Sequence, residues 1–168
     1  SVRGGITWDD ICRLELPIPP IENQLEIVNS YKAITERIAL KQKINDNLEA
    51  TASAMFKERF SIERANPEWL VGTLQDLYTF QYGKGNNNPD NGGVYPVYGS
   101  NGIIGGYDEY NNEDAPVIGH IGINCGSLVF ALGKHFVTYN GVMCNVNNPK
   151  NKYFGYLTLA NSRLQAHV

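Results

Sequence analysis

The chain has 168 residues and a formal net charge of −3. That length allows one ordinary core plus an extension. The charge excludes nucleic-acid binding driven by bulk positive charge, for which a basic domain is the usual footprint. Of the 17 glycines, 15 fall from Gly72 onward and none lies between Ile6 and Val71, so the two parts of the chain are compositionally distinct.

Thr7-Trp8-Asp9-Asp10 predicts a capping box followed by a single helical turn. Leu14, Leu16 and Ile18 alternate with Arg13, Glu15 and Pro17, which suggests a short edge strand. Pro19 and Pro20 then open a run without Gly or Pro until Pro67, rich in good helix formers. Pro20 suits a first helical position and Glu22 the first turn. A helix of some forty residues is about 60 Å long, which predicts a spacer or half of a coiled coil.

The best heptad places Ile27, Ile34, Lys41, Leu48 and Met55 at one core position. Tyr31, Ile38, Asn45, Ala52 and Arg59 take the other. The stripe is apolar at its ends and polar in the middle, at Lys41 and Asn45, an interruption that fixes register or partner choice at a cost in stability. A second long helix should pack on it; a solvated connector held by ion pairs is the plainer alternative.

Ser61–Pro67 reads as an exit linker. Trp69-Leu70-Val71 could start a strand, Thr73 can cap a short helix through Leu77, and Tyr78–Tyr82 looks like a strand ending at Gly83-Lys84-Gly85. Asn86 through Gly93 is turn chemistry throughout. Further strands are expected at Val94–Tyr98, Ile103–Tyr107, Pro116–Ile121, Ser127–Leu132, His135–Tyr139 and Val142–Val146, with a hairpin turn at Leu132-Gly133-Lys134. Asn147–Asn151 breaks the run, and Tyr153, Tyr156, Leu157, Ala160 and Leu164 have helical spacing. The fold class is α+β: a long coiled-coil-type helix followed by a mixed, mainly-β domain with short flanking helices.

No phosphate-binding Gly-Lys-Ser/Thr loop occurs, and no ligand spacing links His120, His135, Cys125 and Cys144 into a metal site. The three cysteines, Cys12, Cys125 and Cys144, form no C-x-x-C pair and suggest buried thiols in a reducing, cytoplasmic setting. A nucleophilic pair of Cys125 or Cys144 with His120 or His135 stays open as a small-hydrolase alternative. From Ala65 on there are nine Tyr and fifteen Asn. Asn can contact adenine bidentately, and Tyr and Ser can hold phosphates; the plainer account is that Asn tolerates left-handed turns.

Leu16-Pro17-Ile18-Pro19-Pro20 with Glu22, Gln24 and Ile27 resembles the "iPlPPl-eQ-I" lead-in to a conserved helix of type I restriction–modification specificity subunits. Tyr95 through Gly105 resembles that family's "YPvYgsnGiiG" block. Gly119–Gly126 and Val137–Asn140 are similar to its "IGr-G--G" and "vTdna" blocks, and Gly83-Lys84 to the Gly-Lys near the start of a target recognition domain. The chain departs from the pattern at His120, where Arg is common, and at Tyr139, where Asp is common.

The resemblance implies two recognition domains separated by long helices that pack as an antiparallel coiled coil, set the gap between half-sites and bind modification subunits. Residues 1–20 would be the tail of a first recognition domain, 21–64 a conserved helix, and 65–168 most of a second recognition domain. The start at Ser1 and the end at Val168 would then be the ends of a fragment, expected to homodimerise through the long helix.

The partners implied are double-stranded DNA, methyltransferase subunits and, through the complex, a restriction subunit. The chain itself would be non-catalytic and hold no metal or cofactor; S-adenosylmethionine, ATP and Mg would belong to the partners. Candidate DNA contacts are Lys84, Lys134 and His120 for phosphates, Asn101, Asn124 and Asn140 for base edges, and Ser100 and Tyr139 beside them. The alternative is a coiled-coil assembly module carrying a β-rich protein- or glycan-binding domain.

Overall fold

The computed structural model describes residues 5–61, 64–85 and 90–167. The chain divides into two compact units, Ser1–Leu48 and Glu49–Val168. The extreme ends of the expected fragment, the Ile62-Glu63 part of the linker and the Asn86–Pro89 part of the predicted turn lie outside the described residues.

Helix α1 spans Trp8–Cys12 and carries the predicted capping box. The Asp10 N–H donates to Thr7 Oγ1 at 3.2 Å, and the Thr7 N–H donates to Asp10 Oδ2 at 3.0 Å. These bonds to Thr7 hold the Asp10 carboxyl below its ordinary range. The expected strand over Leu14–Ile18 does not form. A strand exists by its ladder, and no described segment pairs with this one; its prolines also lack the donors a ladder uses.

Helix α2 runs from Ile21 to Phe60, stopping short of the expected Arg64. Its first turn is fastened by the Gln24 side chain, whose Nε2 donates to Pro19 O at 2.7 Å. No residue of α2 is buried. The stripe residues Ile27, Tyr31, Ile34, Ile38, Lys41, Asn45, Leu48 and Met55 are all exposed, while Ala52 is half-buried.

The second unit is built on a six-stranded sheet. Its strands are β1 (Tyr78–Tyr82), β2 (Tyr95–Gly99), β3 (Gly102–Tyr107), β4 (Asn112–Gly119), β5 (Leu128–Val137) and β6 (Gly141–Val146). Their order is β1-β6-β4-β5-β2-β3. All neighbours are antiparallel except β2 and β5, which run parallel through Val97↔Phe136 and Tyr98↔Val137. Before the sheet, α3 (Leu74–Leu77) begins at Thr73 as expected, with Asp76 Oδ2 accepting from the Thr73 N–H and hydroxyl, whereas Trp69–Val71 forms no strand and leaves Leu70 and Val71 fully exposed. After it, α4 spans Lys152–Asn161.

The predicted hairpin at Leu132-Gly133-Lys134 is instead the interior of one long strand. Gly133 has φ 68° and lies opposite Asp114, itself at φ 50°, where the β4–β5 register shifts. This is a bulge, with one residue set beside two. The Gly133 N–H donates to Asp114 Oδ1 at 2.7 Å, and Lys152 Nζ ties Asp114 Oδ2 at 3.1 Å. A hairpin would have returned the chain beside itself; the bulge lets β5 leave β4 and continue against β2. Pro116 is tolerated within β4 because the β6 ladder covers only Val117–Gly119.

Strand alternation sorts the core onto two faces. Val117, Met143, Ala131, Val137 and Tyr98 form one cluster. Tyr78, Cys144 and Leu159 form the other, with Ile118, Leu128, Leu74 and Leu77 packed on it. Gly155 of α4 is required here, since a Cβ would lie 2.6 Å from the Tyr78 hydroxyl. The C-terminal end of α2 packs on α4 through rings: Phe56 and Phe60 meet Phe154 at 5.6 and 5.3 Å, and Trp69 meets Phe60 at 5.8 Å.

His135 is fully buried, with Nδ1 2.8 Å from Gly133 O and its ring edge-on to Tyr98. A carbonyl only accepts, so Nδ1 carries the proton and the neutral tautomer is fixed. Burial pushes the imidazole below its ordinary value of 6.5, only partly opposed by the Gly133 carbonyl, Asp114 and Glu113. Below about pH 6.5 the unfolded chain therefore binds a proton that the folded chain resists. Stability from this group is complete above pH 6.5 and falls as pH drops through it, by at most about 1.4 kcal/mol per pH unit. Urea midpoints at pH 7.5 and 5.5 should differ in the wild type and differ less in His135→Gln; an equal difference in both would refute the assignment.

Candidate nucleic-acid interface

Four chain connections meet beyond the strands: the exit of β1 at Gly83–Gly85, the β2–β3 turn at Ser100-Asn101, the β4–β5 connection from His120 to Ser127, and the β5–β6 turn at Thr138–Asn140. Main-chain hydrogen bonds lock them together. The Gly83 N–H donates to Gly141 O and the Lys84 N–H to Val137 O, both at 2.9 Å. The His120 N–H donates to Asn140 O at 2.9 Å, and the Tyr139 N–H to Gly85 O at 3.3 Å. The Thr138 N–H donates to Tyr98 O at 2.9 Å, and Ser127 Oγ donates to Ser100 O at 2.9 Å.

The approach is close enough to demand glycine. A Cβ on Gly83 would lie 2.1 Å from Thr138 O, and one on Gly119 would lie 2.5 Å from Asn124 O. The β4–β5 connection contains a 3-10 turn at Gly122–Asn124, and Cys125 Sγ donates to the His120 carbonyl at 3.0 Å.

Seven of the eight sequence candidates sit on these connections: Lys84, Ser100, Asn101, His120, Asn124, Tyr139 and Asn140. Lys84, Asn101 and Tyr139 are exposed, and Ser100, His120, Asn124 and Asn140 are half-buried. Lys134 stands apart, at the β5 bulge. Its ammonium lies 4.5 Å over the Tyr110 ring, and its backbone lies opposite Glu113 of β4. The Tyr110 hydroxyl, and to a smaller degree Tyr95 and Glu113, raise its pKa.

Sequence reasoning missed Tyr82. Its ring centroid is 4.5 Å from that of His120 and 6.1 Å from that of Tyr139. The available signal was its place as the last residue of β1, on the face of Tyr78 and Phe80 and directly before Gly83-Lys84.

The thiols do not make a nucleophile of the Cys–His kind. Burial pushes Cys144 up to about 12, the reverse of activation. Cys125 bonds the main chain of His120, not its ring. Among the described residues no group of His, Cys, Asp and Glu could hold a metal ion, and no helix is long and apolar enough to cross a membrane.

The six-stranded mixed sheet preceded by a forty-residue helix is an α+β fold similar to that of a type I restriction–modification S subunit. The crystal structure of the type I S subunit from M. genitalium matches with a TM-score of 0.62 over 92% of this chain, at 22% identity, and this chain covers 46% of that one. Two others match at lower TM-scores. One is the HsdS subunit from Thermoanaerobacter tengcongensis (0.48, 16% identity, 100% of this chain and 48% of that one). The other is a chain from work on assembly and conformational transition of the type I R-M system (0.44, 15% identity, 98% and 48%). The chain thus spans about half the length of the structures it matches. No family model and no curated protein matches it.

Proposed function

We propose that the chain recognises a DNA sequence as part of a type I restriction–modification specificity subunit, with no catalytic step of its own. The observation that supports this reading most is the convergence of seven polar and aromatic candidates on four interlocked connections, within a fold shared with an S subunit. Residues 65–168 act as a target recognition domain, helix α2 (Ile21–Phe60) as a spacer, and residues 1–20 as the tail of a preceding recognition domain.

Lys84 meets phosphate, while Asn101, Asn124 and Asn140 face base edges and Ser100 stands beside them in the β2–β3 turn. Lys134, held over Tyr110, contacts DNA only where the duplex extends past the main site. The stripe on α2 pairs with a second helix, and the modification subunits bind beside it. Those subunits carry S-adenosylmethionine, and the restriction subunit carries ATP and Mg; the helix sets the gap between two half-sites.

The domain from residue 65 onward holds five Lys/Arg against seven Asp/Glu, so contacts must be few and well placed. Titration of the assembled complex with duplex DNA should show one preferred sequence. The logarithm of its binding constant should fall linearly with the logarithm of salt concentration, with a shallow slope of roughly −0.9 per phosphate contacted. Binding without sequence preference and without salt response would refute the proposal.

A further inference from the structure

We infer that Tyr82 is a specificity-determining residue that positions the His120 imidazole to read a purine edge, with Tyr139 closing the other side. The inference rests on the DNA-recognition reading above and refines it, because charge and sequence pattern alone had assigned His120 to a phosphate.

Strand β1 directs Tyr78, Phe80 and Tyr82 to one face, by its period of two. Tyr78 is buried beneath Gly155 of α4, and Phe80 packs on Tyr78 at 5.8 Å. Tyr82 lies past both core clusters, and so do His120 and Tyr139. The three rings form a closed triangle: 4.5 Å from Tyr82 to His120, 5.9 Å from His120 to Tyr139 at 86° between planes, and 6.1 Å from Tyr139 to Tyr82. Tyr82 remains 54% exposed and Tyr139 47% exposed. Rings recruited for a core are covered; these are assembled and left open to solvent.

The backbone beneath the triangle is equally fixed. The His120 N–H is held by Asn140 O, its carbonyl accepts from Cys125 Sγ, and Tyr139 is tied to Gly85 O. A phosphate contact asks only for a donor or charge in the neighbourhood and carries no sequence information. Discrimination among bases asks for a donor at one place, and a ring already ordered in the free protein loses little further freedom on binding. An imidazole N–H suits N7, the acceptor that both G and A present in the major groove.

The assembled complex provides the test. Its preferred duplex is prepared with each purine of the half-site in turn replaced by the 7-deaza base, which lacks N7. Wild type should lose about tenfold in affinity at one position, the size of one good base contact. Tyr82→Ala and His120→Ala should each bind the unmodified duplex about tenfold more weakly and no longer sense that deaza position. Tyr82→Phe should behave as wild type, and Tyr82→Ala with His120→Ala should be no weaker than His120→Ala alone.

Equal losses on every duplex, with the salt slope reduced by about one, would make His120 a phosphate contact and overturn the inference. Additive losses, or an unaffected Tyr82→Ala, would overturn it too. Those results leave the DNA-recognition reading intact if wild type still selects one sequence; a wild type that selects none removes both.

Discussion

Gly83→Ala is expected to cost about 3 kcal/mol of stability, at the upper end for overpacking, and to abolish sequence-selective binding. The added methyl would lie 2.1 Å from Thr138 O, 2.3 Å from Val137 O and 2.6 Å from the Thr138 carbonyl carbon. All three are main-chain atoms, so no rotamer change relieves the clash. The turn that carries them is itself bonded to Tyr98 and Gly85, and the exit of β1 is held by Gly141 O and Val137 O. Moving either side breaks hydrogen bonds of the same site and displaces Tyr82 and Lys84 together.

Gly102 is the informative control. It has φ 80° with nothing within 4 Å of a Cβ, so Gly102→Ala meets only the left-handed backbone penalty of about 1–2 kcal/mol. Urea unfolding should therefore rank Gly83→Ala well below Gly102→Ala. The reverse ranking, or an unchanged midpoint for Gly83→Ala, would mean that the β1 exit and the β5–β6 turn are not locked as described.

The legible parts of this fold were those written in short-range chemistry. Thr7 with Asp10 specifies a capping box by a three-residue spacing and Thr73 the start of a short helix, and both are present. Tyr78–Tyr82 alternates and is bounded by a glycine, and its limits agree with the structure. Misreadings arose where a distant partner decides. Leu14–Ile18 alternates correctly but has no ladder to join. Gly133 looks like a turn glycine from its neighbours, yet Asp114 and Lys152, far away in sequence, make it a bulge. The same holds at the candidate site. Asn and Ser in the turns were visible as polar groups, whereas the ring triangle brings together Tyr82, His120 and Tyr139 from three separate segments. No local pattern encodes that meeting.

The second large effect concerns α2. In the chain taken alone its stripe is uncovered, with Ile34 60% and Ile38 52% exposed. Exposed apolar surface of this extent marks an interaction face, and we propose that two copies pair through it as an antiparallel two-fold dimer at tens of micromolar. Ile34→Glu with Ile38→Lys should abolish that pairing. Recovering half of the burial of two isoleucines on each of two copies amounts to roughly 4 kcal/mol, or about a thousandfold in Kd. The helix itself should persist, because a Glu–Lys pair spaced four apart supports it. Light scattering should give a dimer for wild type and a monomer for the variant, at equal helical content by circular dichroism; equal masses would refute the pairing.

Symmetry adds a second consequence. A two-fold that matches the apolar ends of the stripe, Ile27 toward Met55, passes close to residue 41 and so brings Lys41 near its own copy. Two ammonium groups roughly 7 Å apart in water repel by about 0.6 kcal/mol, and salt screens this. Dimerisation should therefore strengthen as salt rises, opposite to DNA binding, and should strengthen further in Lys41→Leu. A helix offering an acidic residue at that point would be preferred over a second copy. The polar centre of the stripe thus weakens self-pairing in favour of a different partner, which is the choice a spacer helix in a larger assembly has to make.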